Sequence, residues 1–422
     1  MRRHRARFLP LAAAGAVTAL VVAACSSSSS ASSTSSSSAH PITVGISLPL
    51  TGQFSADGIA TEHGYQLWAS DVNTNGGLLG RPVRLDIVND NSNPKTVTTN
   101  YTTLITQDHV DLTMAPFSTL LTESAIPVTR RYGYALAAGS ATGPAVFSLG
   151  DPYLFSVSVP DAEEMTPFAT WVASLPAGKR PTTAGYAMVN DPFADPPVIT
   201  TAQQLSQRGI KTVFDNASDP VNPNATDSNL IPVANRLAAK NPQLVVLGTV
   251  DVPSLLEFVH AFEAKGFNPQ MIIATSGPDQ GEEFLHHIEP ANAEGIMVPD
   301  GWYGGEANAL SHVMVQDYIA KFGGTTSDIN ADVAEAYSAG ETLADAVTAT
   351  HSTTGRVLAG YLHSHTVQTV QGPAQFNLQG KNIRALGSAF IFQWQNSQFL
   401  QVLPTGSGSA IEVNRPRWAQ GG

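Results

Sequence analysis

The sequence has little cysteine, little charge and no long apolar run after its first segment. Its single cysteine, Cys25, excludes a disulfide within the chain. Charged residues make up only 13% of the chain, and 34 Asp and Glu outnumber 22 Lys and Arg, for a net charge of −12. This balance argues against a nucleic-acid partner, which would favour a basic face. After residue 40, no apolar stretch approaches the roughly 20 residues of a membrane-spanning helix.

The N-terminus has the pattern of an export signal. Four arginines within the first seven residues precede an uncharged, apolar and small-residue stretch over 9–24, and Cys25 follows directly. A basic n-region, a short apolar segment and small residues before a cleavage site are typical of bacterial signal peptides. Two interpretations are open: an ordinary cleaved signal beside a chance cysteine, or a segment that resembles a bacterial lipobox. An unpaired thiol in an exported protein needs an explanation, and lipidation of Cys25 supplies one.

The sequence divides into a signal, a tether and a folded body. The predicted signal peptide covers 1–24. Residues 25–40 are nearly all serine, a composition that cannot build a core and predicts a flexible tether. The remaining body is too long for one typical domain and suits two. Residues 406–422 are predicted to form a loose tail.

The folded body alternates apolar strands with amphipathic helices. Ile42–Leu48 is rich in β-branched residues and predicts a strand, while Asn93 and Pro94 supply an N-cap and a first helical residue. The alternation restarts after Pro160, which predicts two α/β lobes with parallel sheets and a hinge of several crossovers. The predicted boundaries are 41–158 plus 294–380 for the first lobe and 159–293 plus 381–405 for the second.

Several turn motifs carry a resemblance to a known family. In chain order they are Pro49-Leu50-Thr51-Gly52, Asn75-Gly76-Gly77-Leu78-Leu79-Gly80, Asp90 with Asn93-Pro94, and Gly372-Pro373 with Phe376 and Gly380. Their order and spacing resemble the leucine/isoleucine/valine-binding family of periplasmic solute-binding proteins. The resemblance spans about 41–404 and implies the type I Venus-flytrap fold, with a ligand held between the lobes. It also implies an ABC permease as partner.

In the first lobe, the resemblance implies ligand contacts after two strands. Helix N-termini that converge at strand ends suit a carboxylate. The segments that match the family's binding loops contain Phe117, Ser118, Thr119, Ser140, Ala141 and Thr142. Ser118 has a second interpretation, since serine at a helix start is usually only a cap.

In the second lobe the match is looser. Phe193 stands where the family commonly has tyrosine, so one hydroxyl is lost. Asp279 is the candidate partner for a ligand ammonium, although a loop aspartate is more often a turn residue. Trp302 and Tyr303 are expected to form an aromatic wall. Asp57 either meets a cationic part of the ligand or caps the helix before Gly58, and the cap is favoured.

Enzyme and metal interpretations find little support. Ser92 and Lys95 fit a Ser-x-x-Lys pattern, but Pro94 marks that segment as a capped helix start. The neighbouring histidines at 286–287 and 363–365 lack the spacing of a metal motif. We therefore expect no catalysis, no metal and no cofactor.

The sequence predicts an exported, monomeric binding protein held by lipid at the outer face of the cytoplasmic membrane. Its ligand would be a small polar molecule such as a branched-chain amino acid, an amide or a small carboxylate. A competing class is a lipoprotein that senses a ligand and signals to a membrane receptor. A third class, a lipoprotein hydrolase, lacks a triad in the sequence.

Overall fold

The structure is a computed structural model that describes residues 40–221, 229–305, 308–406, 409–410, 412 and 414–418. The predicted signal, Cys25 and almost all of the serine tract lie outside the described residues, as does part of the predicted tail. Within the described part of the chain, no helix combines the length and apolarity that a membrane span requires.

Fourteen strands occur in the described residues. They are β1 (Ile42–Leu48), β2 (Val83–Asn89), β3 (Leu112–Met114), β4 (Leu136–Ala138), β5 (Leu154–Ser156), β6 (Thr183–Met188), β7 (Lys211–Asp215), β8 (Leu244–Gly248), β9 (Met271–Ala274), β10 (Ile296–Asp300), β11 (Val367–Thr369), β12 (Gly372–Ala374), β13 (Phe390–Gln395) and β14 (Gln398–Leu403).

Fourteen α-helices alternate with these strands in the same part of the chain. They are α1 (Ser55–Thr74), α2 (Pro94–Thr106), α3 (Thr119–Tyr132), α4 (Pro144–Ser148), α5 (Asp161–Glu164), α6 (Thr166–Ser174), α7 (Asp195–Gln207), α8 (Ile231–Ala239), α9 (Val252–Ala264), α10 (Glu282–His287), α11 (Pro290–Ala293), α12 (Ala309–Phe322), α13 (Ala331–Thr350) and α14 (Gly355–Leu362). Two 3₁₀ turns, Pro278–Gln280 and Thr326–Asp328, complete the elements.

The first lobe has a five-stranded parallel sheet in the order β2-β1-β3-β4-β5. The predicted strand Ile42–Leu48 is observed with the same bounds, and every residue in it is buried. Val44 lies opposite Leu85 on β2 and Leu112 on β3. A parallel strand in this central position is covered on both faces, which explains its continuous apolar run.

Close helix packing over this sheet depends on glycine. Gly64 on α1 faces the backbone of Val333 on α13, and a Cβ at Gly64 would lie 2.3 Å from the Val333 carbonyl oxygen. Gly340 on α13 faces the indole of Trp68 on α1, where a Cβ would lie 2.4 Å from the ring. The two long helices therefore approach more closely than side chains at these positions would permit.

The second lobe has a seven-stranded sheet in the order β14-β13-β10-β9-β8-β6-β7. Strands β10, β9, β8, β6 and β7 run parallel, whereas β13 and β14 join antiparallel at one edge. Strands β13 and β14 thus complete the second sheet. Helices α5 to α11 belong to the same lobe.

The expected boundary between the lobes is corrected at one strand. The sequence predicts residues 294–300 in the first lobe, but β10 pairs with β9 and with β13 of the second sheet. The chain therefore returns to the first lobe only after Asp300. Sequence order alone does not show which sheet edge a late strand joins, and this explains the error.

Three chain segments connect the lobes. They follow β5, β10 and β12, and the first and third run side by side. The Ser156 amide donates to the Gly380 carbonyl at 2.9 Å, and Asn382 Nδ2 donates to the Val157 carbonyl at 2.6 Å. The crossovers leave a cleft between the lobes at the carboxyl ends of the parallel strands.

Candidate ligand-binding cleft

The cleft between the lobes encloses about 720 Å³, including the space at its mouth. This size is within the usual range for small-molecule sites. The residues that line it come from strand ends, loops and helix starts of both lobes: Phe54, Asp57, Phe117, Ser118, Ser140, Thr142, Glu164, Asp191, Phe193, Val250, Thr275, Ser276, Asp279, Gln280, Pro299, Asp300, Gly301, Asn330, Ala331, Asp332 and Glu335.

Four of the six first-lobe residues expected at the site line the cleft: Phe117, Ser118, Ser140 and Thr142. Ser118 is the N-cap of α3, and its Oγ accepts a hydrogen bond from the Leu121 amide at 3.4 Å. Its φ is +79°, a backbone conformation that is strained for any residue but glycine. Both interpretations of Ser118 thus have a structural counterpart, a helix cap and a place on the cleft wall.

The other two, Thr119 and Ala141, lie behind the wall. Both are fully buried, and neither is among the residues that line the cleft. Thr119 Oγ1 accepts hydrogen bonds from the amides of Thr142 at 3.2 Å and Gly143 at 3.0 Å. Thr119 therefore fixes the loop that presents Thr142.

Thr142 faces the cleft with a hydroxyl that has no hydrogen-bond partner among the described residues. Its side chain is only 4% exposed. Its amide is bound to Thr119, and its carbonyl accepts from the Asp161 amide at 3.2 Å. Buried polar groups are nearly always hydrogen-bonded, so this hydroxyl marks a position for a polar group of a ligand or for water.

Phe193 and Asp279 of the second lobe line the cleft as expected. Asp279 lies in the 3₁₀ turn, and its Oδ1 accepts from the Gly277 amide at 2.6 Å. The same oxygen is 3.4 Å from Ser276 Oγ. Asp279 thus combines a turn role with a position on the cleft wall.

Asp57 is a cleft residue and not the helix cap that the sequence favoured. Helix α1 begins at Ser55 with Phe54 at the N-cap position, so Asp57 lies in the first helical turn. Its Oδ1 accepts a hydrogen bond from Gln280 Nε2 at 2.5 Å.

Trp302 and Tyr303 do not form the expected aromatic wall of this cleft. Trp302 is buried in the first lobe, and its Nε1 donates to Ser311 Oγ at 2.9 Å. Tyr303 lies against Phe390 and Phe392, with ring centroids 5.1 and 5.6 Å away, beside an adjacent cavity that shares Asp279 and Asp300 with the cleft. The chain leaves the wall of the cleft after Gly301, and this places both rings outside it.

The largest group that sequence reasoning missed is acidic. Five carboxyl groups line the cleft in addition to Asp57 and Asp279: Glu164, Asp191, Asp300, Asp332 and Glu335. Asp300 ends a strand, so its position could have been found by the same argument as Asp279. Asp332 and Glu335 lie at the start of α13. Acidic residues are common there because they interact favourably with the helix dipole, so nothing in the sequence placed these two in a binding site.

No Lys, Arg or His is among the described residues that line the cleft. Burial raises the pKa of Glu335 to about 7. The hydrogen bond that Ser140 Oγ donates to Glu335 Oε2 at 2.9 Å lowers this pKa and so offsets part of the increase. Burial also raises the pKa of Asp57 to about 7, and the carboxyl of Asp279 adds to this increase. For Glu164, burial and then the carboxyl of Asp161 raise the pKa well above its usual range. The cleft therefore concentrates carboxyl groups whose ionisation is suppressed, and no basic side chain among its described residues offsets them.

Hydrogen bonds connect the two lobes across the cleft. Besides the bond from Gln280 to Asp57, Gln53 Nε2 of the first lobe donates to Asp251 Oδ2 of the second at 2.9 Å. Asn330 Nδ2 of the first lobe donates to Gln280 Oε1 at 3.3 Å. The lobes are thus in contact over the cleft.

Two α/β lobes with a polar cleft at their strand ends define a two-domain ligand-binding protein. The family model described as "Periplasmic binding protein" matches residues 41–398. The chain belongs to the periplasmic binding protein family. This family and fold are those of ABC-transporter solute-binding proteins, which act outside the cytoplasm and are not enzymes.

Solved structures share the type I periplasmic-binding-protein fold. The branched-chain amino acid transporter substrate-binding protein LivJ from Streptococcus pneumoniae, in complex with isoleucine, is 19% identical, with a TM-score of 0.72 over 85% of this chain and 97% of that chain. A solute-binding protein from R. palustris in complex with benzoate is 15% identical, with a TM-score of 0.72 over 86% and 95%. The leucine-binding protein LivK from Thermotoga maritima is 16% identical, with a TM-score of 0.72 over 85% and 97%.

Proposed function

We propose that this chain is the extracytoplasmic solute-binding component of an ABC importer. It binds a small polar molecule between its lobes, works as a monomer and is anchored by lipid on Cys25. The observation that carries the proposal is the cleft itself, in which polar side chains of both lobes converge at the ends of parallel strands.

Because groups from both lobes line the cleft, a bound ligand can stabilise the closed form. A molecule that touches only Ser118 and Thr142 would bind one lobe. Contacts to Glu164 and Asp279 as well are made only when the lobes come together, so a ligand favours the closed form by this difference in contacts. An ABC permease would then recognise the closed form.

A ligand screen with a measure of shape tests this function. The full chain with Cys25→Ala, which lacks the lipid, would be screened by thermal shift against amino acids, amides, small carboxylates and amines. Compounds that stabilise the protein would then be added at saturation in small-angle scattering. The proposal predicts a smaller radius of gyration with ligand, and an unchanged radius at saturation would contradict it.

Deletion of the gene distinguishes a role in transport from a role in sensing. Deletion of the gene should abolish uptake of the radiolabelled ligand if the protein feeds an importer. If uptake is normal and a ligand-induced transcriptional response is lost instead, the sensing class is correct.

A further inference from the structure

The wall of the cleft is acidic on both sides. The first lobe contributes Asp57, Asp332 and Glu335, and the second contributes Glu164, Asp191, Asp279 and Asp300. No basic side chain is among the described residues of the wall. Carboxyl groups that face each other in a confined space cannot all ionise without a counter-charge, so a cation between them would stabilise their ionised forms.

Several of these carboxyl groups keep oxygens available. Asp279 and Asp300 each use Oδ1 for a nearby backbone amide, of Gly277 and Gly301, both at 2.6 Å. Glu164, which is half-buried, accepts no hydrogen bond from the described residues. Acceptors without donors in a confined site lose hydration without compensation unless a ligand supplies N–H or O–H groups.

Thr142 points to a ligand independently of the acidic groups. Thr142 is more than nine-tenths buried on the cleft wall, and its hydroxyl has no partner among the described residues. The bonds from the Thr142 and Gly143 amides to Thr119 Oγ1 hold the loop in place. A fixed hydroxyl can accept a hydrogen bond from an ammonium group at this wall.

The apolar part of the wall is aromatic. The rings of Phe54, Phe117 and Phe193 line the cleft, and the centroids of Phe54 and Phe117 are 5.9 Å apart. Aromatic faces attract cations and cover methylene groups. The cleft therefore suits a molecule that has both charged ends and an aliphatic carbon chain.

The number of carboxyl groups indicates more than one cationic centre. One primary ammonium has three N–H donors and can satisfy about three acceptors. Seven carboxyl groups line this cleft, and none has a basic partner among the described residues of its wall. An amino-acid zwitterion would leave several of them unpaired and would add a further carboxylate.

We infer that the ligand is an aliphatic diamine or a longer linear polyamine, bound between the acidic walls of the two lobes. This inference rests on the proposed function and specifies its substrate class. The ammonium groups pair with carboxyl groups of both lobes, and the carbon chain lies against the phenylalanine rings. A bare divalent cation fits less well, because no group of three or more His, Cys, Asp or Glu in the described part of the chain is arranged to hold a metal.

Calorimetry with a small set of probes tests the ligand class. The probes are 1,4-diaminobutane, spermidine, butylamine, leucine, benzoate and calcium chloride, added to the full chain with Cys25→Ala. We expect 1,4-diaminobutane or spermidine to bind at least about a hundredfold more tightly than butylamine, which has a single ammonium. Leucine, benzoate and calcium should give no saturable binding.

Each other outcome overturns the inference. Saturable binding of leucine or benzoate without binding of either amine would reject the polyamine class, and the proposed solute-binding function would stand. Binding of calcium alone would reject it in favour of a metal site. Absence of heat with both amines at millimolar concentration would reject it as well, and the scattering screen would then decide the function separately.

Matched variants locate the binding. Glu164→Gln and Asp332→Asn remove one acidic group from each lobe, and each should weaken diamine binding by about tenfold to a hundredfold. The control is Glu163→Gln on the same helix as Glu164, because Glu163 lies outside the wall and contacts Thr166 Oγ1 at 3.3 Å. Unchanged affinity in both cleft variants, or an equal loss in the control, would reject the assignment. Thermal unfolding of each variant confirms that it is folded.

Discussion

Gln280 of the second lobe donates a hydrogen bond from Nε2 to Oδ1 of Asp57 on the first lobe, over 2.5 Å. The same amide accepts from Asn330 Nδ2 through its Oε1 at 3.3 Å. One side chain thus connects the second lobe to α1 and to the start of α13. Gln280 therefore lies in the wall of the cleft and also forms part of the contact between the lobes.

The first prediction concerns stability against pH. Burial raises the pKa of Asp57 and of Glu335 to about 7 in the folded protein, above the ordinary values of 3.8 and 4.5. The folded state therefore binds more protons than the unfolded state between about pH 4 and 7, and stability increases as pH falls through this window. We expect the free energy of unfolding to rise by on the order of 1–3 kcal/mol from pH 8 to pH 5.5.

Denaturant unfolding at several pH values checks this trend. The double variant Asp57→Asn with Glu335→Gln should have a weaker pH dependence, because two of the responsible groups no longer titrate. A stability that is constant or increases from pH 5.5 to 8, or an identical slope in the double variant, would show that these carboxyl groups do not control it.

The second prediction separates two hydroxyls of the cleft. The Thr142 hydroxyl has no protein partner among the described residues, so Thr142→Ala should weaken ligand binding about tenfold and leave the melting temperature unchanged. The Ser118 hydroxyl caps α3, so Ser118→Ala should lower stability by about 0.5–2 kcal/mol in addition to any loss of affinity. Calorimetry and thermal unfolding measure the two effects. Equal loss of stability in both variants would contradict the distinction.

The third prediction concerns the bond between the lobes outside the ligand site. Gln53 donates to Asp251 across the cleft but does not line it. Gln53→Ala should favour the open form and weaken every ligand by a similar factor, about two- to tenfold. Gln66→Ala is the control, because the Gln66 side chain donates to Glu62 within α1 and makes no bond between the lobes among the described residues. A loss of affinity for one ligand alone would indicate direct contact instead.

The fourth prediction compares two glycines in helices. A Cβ at Gly340 would lie 2.4 Å from the Trp68 indole, so Gly340→Ala should cost about 1–3 kcal/mol of stability. Gly360 on α14 has open space around it, and Gly360→Ala should be neutral or stabilise by up to about 1 kcal/mol. Denaturant unfolding of the pair distinguishes crowding from helix propensity. Loss of stability in Gly360→Ala alone would contradict the packing argument.

The fifth prediction concerns the anchor. If lipid on Cys25 holds the protein at the membrane, Cys25→Ala should release it into the soluble fraction or block its processing. Cell fractionation followed by detection of the protein tests this. A Cys25→Ala protein that stays with the membrane in its processed form would exclude lipidation.

The fold was largely predictable because its signals are local. The run Ile42–Leu48 and the cap at Asn93 are properties of neighbouring residues, and the structure has both, with Asn93 Oδ1 accepting from the Lys95 amide at 2.9 Å. Strand β13 begins only at Phe390, after Gly387, whose positive φ turns the chain.

The cleft was predictable only where a residue follows a strand in its own lobe. Ser118 and Thr142 satisfy this condition. The positions of Glu164 and Asp332 depend on how two lobes face each other, which no local pattern encodes. Trp302 satisfies the strand-end condition yet packs into the first lobe, because the direction of the crossover decides where its ring lies.

Where the acidic groups on the two walls ionise, they also repel each other and oppose closure of the lobes. Without a cation, their repulsion increases the free energy of the closed form, and each 1.4 kcal/mol lowers its population about tenfold. An empty protein would then rarely present the shape that a transporter recognises. Such a bias would keep unloaded copies from competing with loaded ones for the same docking surface, so that ATP is spent mainly when cargo is present.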